Sequence, residues 1–119
     1  MKRTINRTGP SQEVRDTVRN RDHHRCVLCG IPSGEIHHRR PRGLGGTSLT
    51  WVNLPANLVT LCRQCHAEVE SRRDRYRTLG FLIPFASDEA EMIPLEYPDR
   101  YVWLYDDGSQ KVIPRRRIL

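Results

Sequence analysis

The chain has 119 residues, a length that favours a single domain, and it carries 20 lysine and arginine residues against 14 aspartate and glutamate residues. The resulting net charge of +6 favours a polyanionic partner such as nucleic acid. No apolar run is long enough to cross a membrane, and residues 1–10 are polar and basic, unlike a secretion signal. We therefore expect a cytoplasmic protein that does not enter a membrane.

A helix is predicted over residues 11–22, after a flexible basic arm at residues 1–10. Ser11 suits the N-cap position, because its hydroxyl can accept a hydrogen bond from a free backbone N–H of the first turn. Val14 and Val18 are four residues apart and give this helix a narrow apolar stripe.

Four cysteines occur as two Cys-x2-Cys pairs, which are Cys26 with Cys29 and Cys62 with Cys65. Two such pairs are typical of a tetrahedral structural zinc site, whereas a disulfide framework would require export. Structural zinc in small fingers contributes about 10–16 kcal/mol, against a total domain stability of about 5–15 kcal/mol. We therefore expect the metal to decide whether the chain folds.

Two adjacent histidines, His37 and His38, lie in a short predicted strand. Neighbouring side chains on a strand point to opposite faces, so these two imidazoles should do different work. One can hold a cation while the other handles the proton of a water molecule, a division that a metal-dependent hydrolase needs. The Gly-rich residues 41–56 that follow are predicted to be a loop, serving either phosphate contact or simple linkage.

A return strand is predicted from Asn57 to Leu61, followed by a helix from Arg63 to Leu79 that Gly80 ends. In the last third, residues 81–85 are extended and apolar, and residues 101–105 and 110–113 predict a β-hairpin around a glycine-containing turn. We expect this hairpin to cover the small core or to contact a partner.

Taken together, the Cys-x2-Cys pair, Glu-Ile-His-His-Arg-Arg-Pro, Gly-Gly and Asn-Leu-Val-Thr-Leu-Cys-x2-Cys-His closely resemble the four-cysteine branch of the HNH endonuclease family. The resemblance covers residues 26–70. It implies an α+β fold, with a small zinc-stapled ββα-metal (His-Me finger) core, an N-terminal helix and a C-terminal β-hairpin. The nuclease domain would span residues 11–80, and residues 81–119 would form an accessory β extension with a basic tail.

The same resemblance assigns roles to individual residues. His37 corresponds to a ligand of the catalytic metal, and His38 to the general base that takes a proton from the attacking water. Asn57 corresponds to the family asparagine, whose amide is expected to hold the loop and, through it, His38. Asn53 lies nearby but lacks the Asn-Leu-x-x-Leu-Cys context that surrounds Asn57. His66 corresponds to the closing metal ligand.

Glu70 stands where many relatives place a further histidine, on the same helical face as His66. Its carboxylate would ligate a hard cation, or it would pair with Arg73 at the helix surface. Glu35, two residues before His37, also fits the family pattern and is expected to steer an arginine or the substrate phosphate.

The expected cofactors are a structural Zn²⁺ and a catalytic Mg²⁺, Mn²⁺, Ni²⁺ or Zn²⁺, and the expected activity is cleavage of DNA phosphodiesters. Five arginines near the motif are expected to contact DNA: Arg39, Arg40, Arg42, Arg72 and Arg73. Small phage relatives imply a role beside a terminase in genome packaging. The alternatives are a non-catalytic zinc module that binds nucleic acid or protein, and a nuclease or toxin directed at RNA.

Overall fold

The computed structural model describes residues 9–41, 50–84 and 88–115. In chain order these residues form helix α1 (Gln12–Arg21), strand β1 (Ile36–His38), 3₁₀ helices at Thr50–Asn53 and Pro55–Asn57, strand β2 (Leu58–Thr60), helices α2 (Arg63–Ser71) and α3 (Arg73–Thr78), a 3₁₀ helix at Ala90–Met92, and strands β3 (Leu95–Glu96), β4 (Arg100–Leu104) and β5 (Gln110–Pro114). This mixture of helices and separate sheets confirms the predicted α+β class. None of the described helices is long and apolar enough to cross a membrane.

Strands β1 and β2 form an antiparallel pair in which His37 lies opposite Val59. Helix α2 follows β2 directly, so the three elements make the expected ββα unit. Arg21, the last residue of α1, forms a buried ion pair with the C-cap residue Asp22 at 2.9 Å. Both side chains also contact strand β2 of the ββα unit. Asp22 accepts the N–H of Thr60 at 2.9 Å, and Arg21 donates to the Leu58 carbonyl at 2.6 Å. Both ends of β2 are therefore fixed by α1.

Helix α1 agrees with its prediction, since the Ser11 side chain accepts from the Val14 N–H at 3.1 Å.

The single helix predicted from Arg63 to Leu79 is wrong, because the chain leaves helical geometry at Arg72 (φ −123°, ψ 58°) and restarts as α3. Residues 70–75 are all polar, so no apolar stripe holds a straight helix there. The break lets Tyr76 enter the core.

Gly80 lies just beyond α3, as predicted for a residue that ends a helix. Its φ is +89°, and a Cβ at this position would come within 2.2 Å of the Pro94 carbonyl oxygen. Only glycine fits both the left-handed conformation and this close approach. The turn sends residues 81–84 back towards β1, where the Ile83 N–H donates to the Arg39 carbonyl at 2.8 Å.

The predicted C-terminal hairpin is confirmed as β4 and β5, with Val102 opposite Val112. The prediction missed β3, which pairs with β4 and extends the hairpin to three strands. One hydrophobic core joins this sheet to the ββα unit; its fully buried members include Val59, Leu61, Val69, Phe81, Leu95 and Val102. The region predicted as a loop at 41–56 contains two 3₁₀ helices at its end, and residues 42–49 lie outside the described part.

Candidate active site

The four cysteines converge from two elements on one point. Their sulfur atoms all lie within 4.8 Å of one another, and the Cys29 and Cys62 sulfurs are 3.7 Å apart. A tetrahedral site with Zn–S bonds of about 2.3 Å places its sulfurs about 3.8 Å apart. The predicted grouping of these cysteines into a zinc-type cluster is therefore confirmed, and the four thiols fit that ion in number and spacing.

The backbone around Cys26 favours its thiolate, the form that binds metal, whereas burial and the neighbouring thiols raise the pKa of Cys65. Burial alone raises the pKa of the Cys26 thiol, but backbone N–H groups of Cys62, Cys29 and Leu28 bring that pKa down to about 7. Cys62 is also the N-cap of α2, where its sulfur accepts from the Cys65 N–H at 3.3 Å. Zinc held here would connect the start of α2 to the knuckle before β1.

His37 is buried in the middle of β1, and its ring position is fixed by one hydrogen bond. The Nε2–H donates to the Phe81 carbonyl at 2.7 Å, so the unprotonated nitrogen is Nδ1. Burial lowers the pKa of His37 to about 4. The hydrogen bond to the Phe81 carbonyl raises this pKa, and the neighbouring positive charges lower it further. The imidazole is therefore neutral near pH 7, as a metal ligand must be, and its Nδ1 lies 4.0 Å from Glu70 Oε2.

His66 lies in the first turn of α2, directly after Cys65, so the cysteine cluster also fixes where its ring points. The ring centroid is 5.0 Å from that of His37, edge to face. Its Nδ1 is 3.5 Å from Glu35 Oε1, and its Nε2 is 3.9 Å from Glu70 Oε2. Glu35 therefore orients the His66 ring, a contact that the sequence did not indicate.

Glu70, one turn further along α2, brings a carboxylate to the same place. One of its oxygens pairs with Arg73, and the other faces the two imidazoles. The expected pairing of Glu70 with Arg73 is therefore present, and the second carboxylate oxygen stays directed at the imidazoles. The ligand atoms of His37, His66 and Glu70 all lie within 4.8 Å of one another. Two nitrogens and one oxygen are a donor set for a divalent cation, and they leave positions open for water or a phosphate oxygen.

His38 ends β1 and is half-buried, on the face opposite His37. Its Nε2 lies 2.8 Å from Asn53 Oδ1, at the end of the first 3₁₀ helix. Asn57 is fully buried and holds the backbone instead: its amide accepts from the Arg40 N–H at 2.8 Å and donates to the Val52 carbonyl at 2.8 Å. Sequence reasoning had set Asn53 aside because it lacks the family context around Asn57, and that context does not show which asparagine contacts His38.

The arginines expected to contact DNA separate into three groups. The prediction for Arg39 is wrong: this residue is fully buried, and its guanidinium donates to backbone carbonyls. Arg40 is also buried, with its guanidinium over the Trp51 ring, so it is not a surface contact. Arg42 lies outside the described residues. Arg72 and Arg73 are exposed on the helical surface, near Glu68 and Glu70 respectively.

Residues 26–72 match the family model described as HNH endonuclease. The matched range contains both candidate metal clusters, from Cys26 to Glu70, and ends before α3. Neither a curated protein nor a solved structure matches the chain significantly.

Proposed function

We propose that this protein, whose residues 26–72 match the HNH endonuclease family model, is a metal-dependent endonuclease that hydrolyses DNA phosphodiester bonds. The observation that carries the proposal is the convergence of His37, His66 and Glu70 on one point within that domain. A purely structural histidine needs one hydrogen-bond partner, which His37 already has in Phe81. The approach of a second imidazole and a carboxylate to its other nitrogen favours a ligand set.

Three side-chain atoms would hold the catalytic cation: His37 Nδ1, His66 Nε2 and Glu70 Oε2. Mg²⁺, Mn²⁺, Ni²⁺ and Zn²⁺ are all compatible with two nitrogens and one oxygen. When bound, such a cation neutralises the scissile phosphate and stabilises the developing oxyanion. Each proposed ligand also contacts an outer partner that orients it. Phe81 contacts His37, Glu35 contacts His66, and Arg73 contacts Glu70.

His38 is the proposed general base. It lies next to His37 in sequence but on the other face of β1, so it can reach a water molecule without joining the ligand set. General-base help of this kind contributes typically 10²- to 10⁴-fold in rate. Asn57 acts at a distance from the chemistry, since its amide fastens the backbone after β1 to the first 3₁₀ helix.

DNA would approach along the basic surface that includes Arg72 and Arg73. Their side chains are 63% and 45% exposed, which leaves them accessible to phosphate oxygens. The net charge of +6 supports association with a polyanion at low salt. Phage origin and a role beside a terminase in genome packaging stay predictions of the sequence resemblance alone.

Cleavage of supercoiled plasmid tests the activity. Wild type should convert the plasmid to nicked or linear forms with at least one of Mg²⁺, Mn²⁺, Ni²⁺ or Zn²⁺, and chelation should stop it. His38→Ala should lose cleavage by roughly 10²-fold or more while retaining zinc and DNA binding. The matched control is His24→Ala, which removes an exposed histidine bonded to Asn20 and should cut like wild type.

Two results would contradict the proposal in different ways. Binding of DNA without cleavage under any of the four metals would leave the non-catalytic zinc module as the function. Full cleavage by His38→Ala would remove this residue from the base role. Labelled RNA in the same assay separates a DNA nuclease from one directed at RNA.

A further inference from the structure

The contact between His38 and Asn53 joins two elements that are distant in sequence. His38 ends β1, Asn53 ends the first 3₁₀ helix, and the Nε2 and Oδ1 atoms are 2.8 Å apart. Both side chains are half-buried, so water screens this contact only in part. The distance is that of a well-formed hydrogen bond.

An amide oxygen can only accept, so the hydrogen in this bond belongs to His38 Nε2. We propose that Asn53 is the positioning residue for the general base: it holds His38 as the Nε2–H tautomer and directs Nδ1, the basic nitrogen, towards the attacking water. This inference rests on the proposed function. In this role Asn53 acts through His38, as the aspartate of a serine protease triad acts through its histidine.

The segment that carries Asn53 is itself held firmly. Asn57 donates to the carbonyl of Val52, the residue before Asn53, and the Asn57 N–H donates to the Leu54 carbonyl at 3.0 Å. Val52 is fully buried. The two asparagines therefore act in series: Asn57 fixes the 3₁₀ segment to the backbone after β1, and Asn53 transmits that position to the His38 ring.

This arrangement would let Asn57 act on His38, a histidine that its amide does not touch in the described contacts. Asn57 bonds to Arg40 and Val52, whereas the contact with His38 comes from Asn53. Loss of either asparagine should loosen the same imidazole. Their effects on cleavage should therefore be less than additive when both are changed.

Two substitutions at Asn53 separate its hydrogen bond from its volume. Asn53→Leu keeps a similar shape but removes the acceptor, and Asn53→Asp keeps an acceptor. We expect Asn53→Leu to lower kcat on plasmid or oligonucleotide DNA roughly 10- to 100-fold with KM little changed, and Asn53→Asp to recover most of that loss. In a His38→Ala background, Asn53→Leu should cause no further loss. Asn20→Leu is the matched control, because Asn20 makes the same type of contact with His24 at 3.0 Å and should leave kcat unchanged.

The tautomer of His38 is measurable without any cleavage, by ¹⁵N-edited NMR of the imidazole nitrogens in the zinc-loaded wild-type chain. Predominance of the Nε2–H form supports the proposal, and predominance of the Nδ1–H form overturns it even if Asn53→Leu fails to fold. Wild-type kcat in Asn53→Leu, or equal losses in Asn53→Leu and Asn53→Asp, would also overturn it. If the Nε2–H form predominates but His38→Ala still cuts, the failure lies with the general-base assignment, and the positioning role falls with it.

Discussion

Replacement of Arg39 by methionine should destabilise the fold strongly, although Arg39 is not one of the candidate metal ligands. The Arg39 guanidinium is fully buried and donates to four backbone carbonyls, those of Ala56, Gly80, Ala90 and Ile93. Burial lowers the pKa of Arg39 to about 9, so the group stays charged at pH 7. Each buried carbonyl left without a donor costs about 1–3 kcal/mol. At the lower end, four of them cost about 4 kcal/mol, a large part of a total stability of about 5–15 kcal/mol.

Guanidinium chloride unfolding at a fixed free zinc concentration measures this loss. Arg19→Met is the control, because Arg19 is partly exposed and makes one such bond, to the Gly34 carbonyl at 3.0 Å. We expect it to change the free energy of unfolding by less than about 1 kcal/mol. An opposing effect exists, since methionine removes the cost of desolvating an unpaired charge. If Arg39→Met were as stable as wild type, that desolvation would outweigh the four bonds and our reasoning would be refuted.

Three further changes test the metal sites. Cys62→Ser should lower the melting temperature and the zinc content, and a chelator should do the same to wild type; an unchanged melting temperature with one zinc per chain would contradict a structural zinc site at the four cysteines. His66→Ala should lose Mn²⁺ binding measured by calorimetry, and Glu70→Gln should weaken it about 10-fold or more. Both variants should melt at the wild-type temperature. A variant with unchanged Mn²⁺ affinity would remove its residue from the proposed ligand set. His37 has a folded pKa of about 4, below the unfolded value of about 6.5, so its stabilising effect is present above pH 6.5 and is lost as pH falls towards 4. Wild type should therefore lose on the order of 3 kcal/mol more than His37→Gln over this range, and parallel stability curves would count against burial of a neutral imidazole.

Local spacing predicted most of the elements correctly. Ser11 with Val14 and Val18 was enough for α1, because capping and a helical stripe act within a few residues. The two Cys-x2-Cys pairs predicted the cysteine cluster, since two pairs of that spacing are typical of a structural zinc site. The family register similarly predicted that His37 and His66 would approach each other.

Two contacts that the sequence did not predict share a physical origin, which is a backbone carbonyl that acts as the partner of a buried side chain. Arg39 was grouped with surface arginines, because nothing in a sequence shows that four carbonyls from distant segments will surround a guanidinium. The Phe81 carbonyl, which fixes the His37 tautomer, is equally invisible, since every residue carries a carbonyl. The choice of Asn53 over Asn57 as the partner of His38 depends on where a 3₁₀ helix places one side chain.

The contacts of the C-terminal part show that the candidate metal site is completed by residues beyond the family domain. The matched range ends at residue 72, yet Phe81 supplies the acceptor that leaves His37 Nδ1 available. Gly80 permits the turn that brings this carbonyl back to β1, and Arg39 fastens the Gly80 carbonyl itself. Since Arg39 also holds the carbonyls of Ala90 and Ile93, displacement of the C-terminal segment would be felt at His37 through a chain of direct contacts. The accessory region thus fixes the ring and tautomer of His37, the candidate metal ligand.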